Sequence, residues 1–187
     1  MNGADLRALA LAVGAVVLAG CTTVYEPPPG QPVARLRLVS APVPQYRAGG
    51  RGTHLHVADL STCPASPEGV MRFGIPGPSE ATHLGMPLPL DAGDRFSSEF
   101  VLPAGRPLAF TLNTGAGRLF CRVAFRFTLE PGRDYEIESL WSTALKKCAV
   151  SVRELKKAGS GTQRVRLTSA RKLDERNLCG APASEMD

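Results

Sequence analysis

Five cysteines and three histidines are the residues of this 187-residue chain best suited to chemistry, and position sorts them into groups. Cys21 stands near the start, behind an apolar run that ends in two small residues, Ala19 and Gly20. A thiol becomes a nucleophile as its thiolate, and small neighbours leave the backbone around it open to an enzyme. Cys63, Cys121, Cys148 and Cys179 are spread over the rest of the chain. The closest two, Cys121 and Cys148, are 27 positions apart, so no knuckle of zinc-site spacing occurs. His54 and His56 are two apart and would share one face of a strand. With His83 they offer three imidazoles, a set that suits zinc or copper. The plainer alternative is two polar residues on the wet face of a strand whose other face carries Leu55 and Val57. No metal and no cofactor is assigned. Gly115-Ala116-Gly117 begins like a dinucleotide-binding loop, but Phe120 stands where the third glycine belongs, and a strand pattern follows instead of a helix. A tight turn is expected there. The chain has no nucleophile elbow, no zinc-protease helix and no phosphate loop, so no catalytic residue is assigned and the protein is not expected to be an enzyme.

The N-terminal segment gives Cys21 its meaning. Met1 to Arg7 is a short polar start, and Ala8 to Gly20 is continuously small or apolar. As a helix this run reaches only about 20 Å, short of the ~30 Å hydrocarbon core of a bilayer. That pattern predicts a secretory signal over residues 1–20. Leu18-Ala19-Gly20-Cys21 resembles the lipobox of bacterial lipoproteins. The resemblance implies a diacylglycerol on the Cys21 thiol, cleavage before Cys21, and acylation (a palmitate) of the new amino terminus. An ordinary signal peptide with an incidental cysteine, or an uncleaved anchor, is the alternative. Two or more acyl chains hold a protein stably on its membrane. In that class an Asp after the lipidated cysteine commonly retains the protein at the inner membrane. Here Thr22 follows, so the resemblance implies the outer membrane, facing the periplasm.

With Cys21 given to lipid, four cysteines remain, an even number in an exported chain, and two disulfides are expected. Four cysteines allow three pairings. The favoured one is Cys121–Cys148 with Cys63–Cys179. The strand after Pro131-Gly132 returns to the end where Cys121 began, and Cys148 opens the next strand there. Cys179 would then close the C-terminal tail against the loop after Leu60.

These residues need a scaffold, and its pattern is β throughout. Residues 21–33 carry four prolines after Tyr25 and read as a semi-rigid, extended tether of roughly 35–40 Å. A single domain follows over 34–187, with a polar C-terminal tail. Strands are predicted at 34–39, 53–57, 70–75, 97–102, 108–112, 119–129, 134–140, 147–153 and 163–167. The run 119–129 alternates best. Cys121, Val123, Phe125, Phe127 and Leu129 point one way, and Arg122, Ala124, Arg126 and Thr128 the other. Pro103 to Pro107 and Asn113 to Gly117 read as turns. The expected fold is an all-β, immunoglobulin-like antiparallel β-sandwich stapled by disulfides, with the seven phenylalanines and Trp141 supplying most core aromatics. Leu129-Glu130-Pro131-Gly132-Arg133-Asp134-Tyr135 resembles the tyrosine corner of fibronectin type III and other immunoglobulin-like domains, in which the Tyr hydroxyl bonds back to the preceding chain. An ordinary Pro-Gly hairpin turn is the alternative. The chain as a whole resembles proteobacterial lipoproteins with one sandwich domain, a likeness that names no activity.

The net charge of +5 is unevenly spread. Residues 21–140 balance arginine against acid, whereas 141–187 hold an excess of base that includes Lys146, Lys147, Lys156, Lys157 and Lys172. This excess is either a patch for anionic envelope material or a solvated face. The basic surface lacks an aromatic-rich motif, which speaks against nucleic acid. Two functions follow as expectations. The first is a non-enzymatic binding or structural module of the cell envelope, held to the membrane through Cys21 and recognising an envelope protein or other component. The second is an envelope hydrolase whose residues form no recognisable motif.

Overall fold

The computed structural model describes residues 26–40, 53–62, 70–75, 82–88, 96–116, 119–142, 147–174, 177–179 and 184–185. Residues 1–25, where the expected signal and Cys21 fall, lie outside that description, as do Cys63, Gly117, Lys146 and the side chain of Trp141. The strands are β1 (Val33–Ser40), β2 (Thr53–Asp59), β3 (Val70–Ile75), β4 (Phe96–Pro103), β5 (Pro107–Ala116), β6 (Leu119–Thr128), β7 (Asp134–Ser142), β8 (Lys147–Ala158), β9 (Gly161–Arg166), β10 (Arg171–Lys172) and β11 (Ser184–Glu185). One short 3-10 turn, Leu60–Thr62, is the sole helical piece among the described residues. No helix among them is long and apolar enough to cross a membrane.

Two sheets form. The first has the order β4-β1-β7-β8-β9, and the second β11-β10-β6-β5-β2-β3. They face each other across one core, because alternate residues on each strand are apolar. Leu36 and Leu38 of β1, Tyr135 and Ile137 of β7, and Val150 and Val152 of β8 enter it from the first sheet. Leu55, Val57, Leu108, Phe110, Leu112, Phe125 and Phe127 enter from the second. Phe110 stacks on Phe127 with ring centroids 4.4 Å apart, and Phe127 meets Tyr135 across the sheets at 5.8 Å. Burying each such ring contributes on the order of 2–3 kcal/mol. The fold is thus the expected β-sandwich. Cys121 on β6 is disulfide-bonded to Cys148 on β8, with Cα atoms 6.0 Å apart. This bond joins the two sheets. Cys179 is also disulfide-bonded; the expected Cys63–Cys179 pairing involves Cys63, which lies outside the described residues.

Several details depart from the sequence pattern. The expected sandwich was antiparallel, but β1 runs parallel to β7, with Leu36 opposite Tyr135. A parallel pair needs a long crossover, and here the intervening chain supplies it, building β2, β3, β5 and β6 of the second sheet and β4 of the first. The expected turn at Asn113 to Gly117 is strand as far as Ala116: Asn113 pairs with Arg122, Thr114 with Cys121 and Gly115 with Phe120. Phe120 is an exception to the aromatic core, 57 % exposed on the outer face of β6. The proline-rich segment expected to extend straight carries a turn. The Gln31 N–H donates to the Pro28 carbonyl at 3.1 Å, with Gly30 at φ 78°, a backbone geometry that favours glycine. The outer face of the second sheet is covered in part, because Leu173 and Leu178 pack over Ala58, Ala109 and Ala124. The C-terminal segment is therefore docked, with Arg171 opposite Arg126.

The corner between β6 and β7 carries the expected bond. Glu130 to Arg133 form a type II turn with Gly132 at φ 72°, the position that demands glycine. The Tyr135 hydroxyl accepts from the Glu130 N–H at 3.0 Å. Tyr135→Phe keeps the ring and strands that amide, so it should cost about 1 kcal/mol. Urea denaturation at constant m-value measures this, and an unchanged midpoint would show that the corner needs only the ring.

Candidate functional site

The outer face of β2, β3, β5 and β6 is built by the residues that alternate with the core set. His56 lies between Arg72 on β3 and Thr111 on β5. Thr111 is followed by Ala124 on β6, and one row along, His54, Asn113 and Arg122 line up. Gly74 stands opposite His54, and a Cβ there would come within 3.1 Å of the ring nitrogen. The missing side chain leaves room for the imidazole. A cleft of about 260 Å³ opens on this face. His56, Arg72, Thr111 and Arg122 provide its polar lining, and Ala58, Val70, Ala109 and Leu178 its apolar lining. No described residue on this face of these four strands is acidic. The electrostatics follow. Burial pushes the His56 pKa down, and the neighbouring charges of Arg72, His54 and Arg122 push it further. His56 is therefore neutral near pH 7, one ring nitrogen donating and the other accepting.

This geometry removes the three-histidine metal reading. His83 lies beside Thr82, whose carbonyl accepts from the Glu99 N–H of β4 in the first sheet. His54 and His56 lie on the outside of the second sheet, among arginines that repel a metal cation. Among the described residues no group of three or more His, Cys, Asp or Glu is gathered for a metal.

The outer face of the first sheet is also built of charge, but it is closed. Arg37 of β1 is buried. It holds Glu99 of β4 at 2.8 Å and Glu136 of β7 at 3.4 Å. Residues 82–88 lie over it as a strap. The carbonyls of Met86, Pro87 and Leu88 accept from the Arg37 guanidinium, and Glu99 accepts the Leu84 and Met86 N–H groups. Leu88 adopts φ 58° to present its carbonyl, a left-handed conformation that costs about 1–2 kcal/mol for a side-chain-bearing residue. Arg153 of β8 and Arg164 of β9 continue the network onto Glu136 and Glu138.

Charge in space thus differs from charge along the sequence. Of the C-terminal base excess, Arg153 and Arg164 pair with carboxylates of β7, and Lys156 pairs with Glu154 at 3.2 Å. The cationic cleft is lined by Arg72 and Arg122, from the half whose charges balance in sequence. Sequence pattern placed the two histidines on this face but missed Arg72 and Thr111, because only strand register brings them beside His56. The alternation of Arg122 with Val123 was the available signal.

The chain matches no protein-family profile, no characterised protein and no solved structure.

Proposed function

We propose that this protein is a membrane-tethered lipoprotein of the cell envelope, acting as a non-enzymatic binding module exposed to the periplasm. The observation that carries the reading is an apolar leader ending in Leu18-Ala19-Gly20-Cys21, placed ahead of a domain whose two sheets are joined by Cys121–Cys148. Disulfides persist in oxidising compartments such as the periplasm, and export is what the leader would provide. The outer membrane is the proposed site, on the strength of Thr22. We read the sandwich as immunoglobulin-like, supported by its tyrosine corner. The partner is an envelope protein or other envelope component. It would meet the cationic cleft or an outermost strand: β3 and β9 end their sheets, and a sheet edge can accept an added strand.

Cell fractionation with labelled palmitate tests the anchor. The native chain should take up label and sediment with the outer membrane. Cys21→Ser should remain unlabelled and uncut by the lipoprotein peptidase. Normal maturation of that variant into a soluble form refutes the proposal. Cross-linking in intact cells then tests the binding role. Reversing Lys146, Lys147, Lys156 and Lys157 to Glu should abolish capture if those lysines carry the contact. Unchanged capture would assign it to the cleft or the sheet edges.

A further inference from the structure

We propose that the cleft on the outer face of the second sheet is a binding site for a small carboxylate, with Arg72 as its principal charge partner, Thr111 and His56 as hydrogen-bond partners, and the Val70 and Leu178 side chains receiving the ligand's short apolar part. The inference rests on reading the domain as a binding module, and it names that module's ligand.

Three observations support it. First, the polar lining offers cationic and neutral donors and no carboxylate. A guanidinium presents paired N–H donors in a planar fork that matches a carboxylate. The hydroxyl of Thr111 adds a donor from the next strand but one. Second, the remaining lining is hydrocarbon. Val70 and Leu178, both half-buried, form its floor beside Ala58 and Ala109, which are themselves almost fully covered. A strongly hydrated inorganic anion gains nothing from such a floor, whereas a carboxylate carrying a few carbons buries them there. Third, the volume of about 260 Å³ lies just under the ~300–1,000 Å³ range of drug-sized sites. The ligand is therefore small, or is the end of something larger. A free short-chain acid and the carboxyl terminus of a peptide offer this same chemistry.

Protonation of His56 would tune the grip. The groups that face it are Arg72 from β3, Arg122 from β6, His54 from its own strand and the uncharged Thr111 from β5. A bound anion offsets the cations and raises the His56 pKa, so by linkage the carboxylate binds more tightly as pH falls through that pKa. His56→Gln should flatten this dependence.

The test is a titration of the full chain in detergent micelles, following the histidine ring resonances by NMR. Butyrate and N-acetyl-alanyl-alanine with a free carboxyl are the two source probes. The dipeptide amide and inorganic phosphate are the controls. At least one carboxylate should shift the His56 signals saturably, and affinity for the dipeptide, whose carboxyl stays ionised, should rise as pH falls from 8 to 5. The tighter of the two identifies the source. Arg72→Gln should weaken binding about tenfold or more, the loss of a charged hydrogen bond. Because Arg72 is exposed, the variant should keep the native spectrum elsewhere. The proposal is overturned if neither carboxylate shifts His56, if the amide or phosphate binds as tightly, or if Arg72→Gln changes nothing. None of these outcomes depends on lipid attachment or localisation, so a failed ligand and a failed anchor are told apart.

Discussion

Replacing Arg37 with alanine is expected to destabilise the domain by about 3–5 kcal/mol, because it leaves the buried Glu99 without its cation, while Glu136 keeps Arg153 and Arg164. Glu99 and Glu136 both lose a partner. The carbonyls of Met86, Pro87 and Leu88 lose their donor, which releases the strap. For a chain of this length the melting temperature should fall by on the order of 10 °C. Arg37→Lys keeps the charge but not the five-donor fork, and should recover only part of the loss. The deficit should also depend on pH. Burial raises the Glu99 pKa, but Arg37 and the amides of Leu84 and Met86 outweigh it and hold the carboxyl below its ordinary value. A carboxylate depressed in this way stabilises the fold above its unfolded pKa, and that contribution is lost as pH falls through the folded one. The native protein therefore gives up this stabilisation in acid, while the alanine variant has already lost the Arg37 part. The gap between them should narrow below about pH 4. Calorimetry across pH checks it; a constant gap would mean that the lost contacts are chiefly to the carbonyls.

The second large effect should come from Cys121 and Cys148. Converting both to alanine removes a cross-link spanning 27 positions, and the chain-entropy relation assigns such a loop about 3.5 kcal/mol. The bond also joins β6 to β8, strands that belong to different sheets. The double variant should unfold at a lower denaturant midpoint, and reduction of the native protein, which also opens the Cys179 disulfide, should lower it at least as far. If both lower stability by less than about 1 kcal/mol, the packing of Phe125, Phe127 and Tyr135 already closes the sandwich without the bond, or the reduced chain stays compact before folding.

Much of the scaffold was legible because a half-buried strand records its environment in alternate residues. Val70–Ile75 appears in the sequence with the bounds it has in the structure, and Leu36 and Leu38 lie inward as their alternation with arginine required. Strand ends were less legible. β8 continues to Ala158 because Leu155 to Ala158 pair with Gly161 to Arg164 of β9, a pairing that no local pattern in the lysine-rich stretch announces. The strap at 82–88 was invisible for a different reason. It is held by backbone carbonyls on Arg37 and backbone amides on Glu99, and backbone groups leave no trace in residue type. Arg35 and Arg37 looked like ordinary wet-face residues, yet Arg37 is among the most buried charges in the molecule. Of the candidate cleft, the two histidines were visible and their neighbours were not, since Arg72 and Thr111 arrive through register alone. Ala58, Ala109 and Ala124 left a faint signal: small residues, not polar ones, at outward positions over which Leu173 and Leu178 close.

The place of β1 in its sheet has a mechanical consequence. Residues ahead of Val33 enter the domain through a strand bonded to β4 on one side and to β7 on the other. A pull on the N-terminus would therefore act along β1 as shear, loading both ladders at once instead of unzipping an outer strand one bond at a time. Arg35 adds a clamp at the point of loading: it grips Asp134 of β7 at 2.7 and 2.8 Å, and its own N–H donates to the Arg133 carbonyl. Forced opening is governed by the unfolding rate, and here extraction of β1 must break two neighbouring ladders together. Under tension the proline-rich segment before β1 should straighten, including its turn at Pro28 to Gln31, while the sandwich holds.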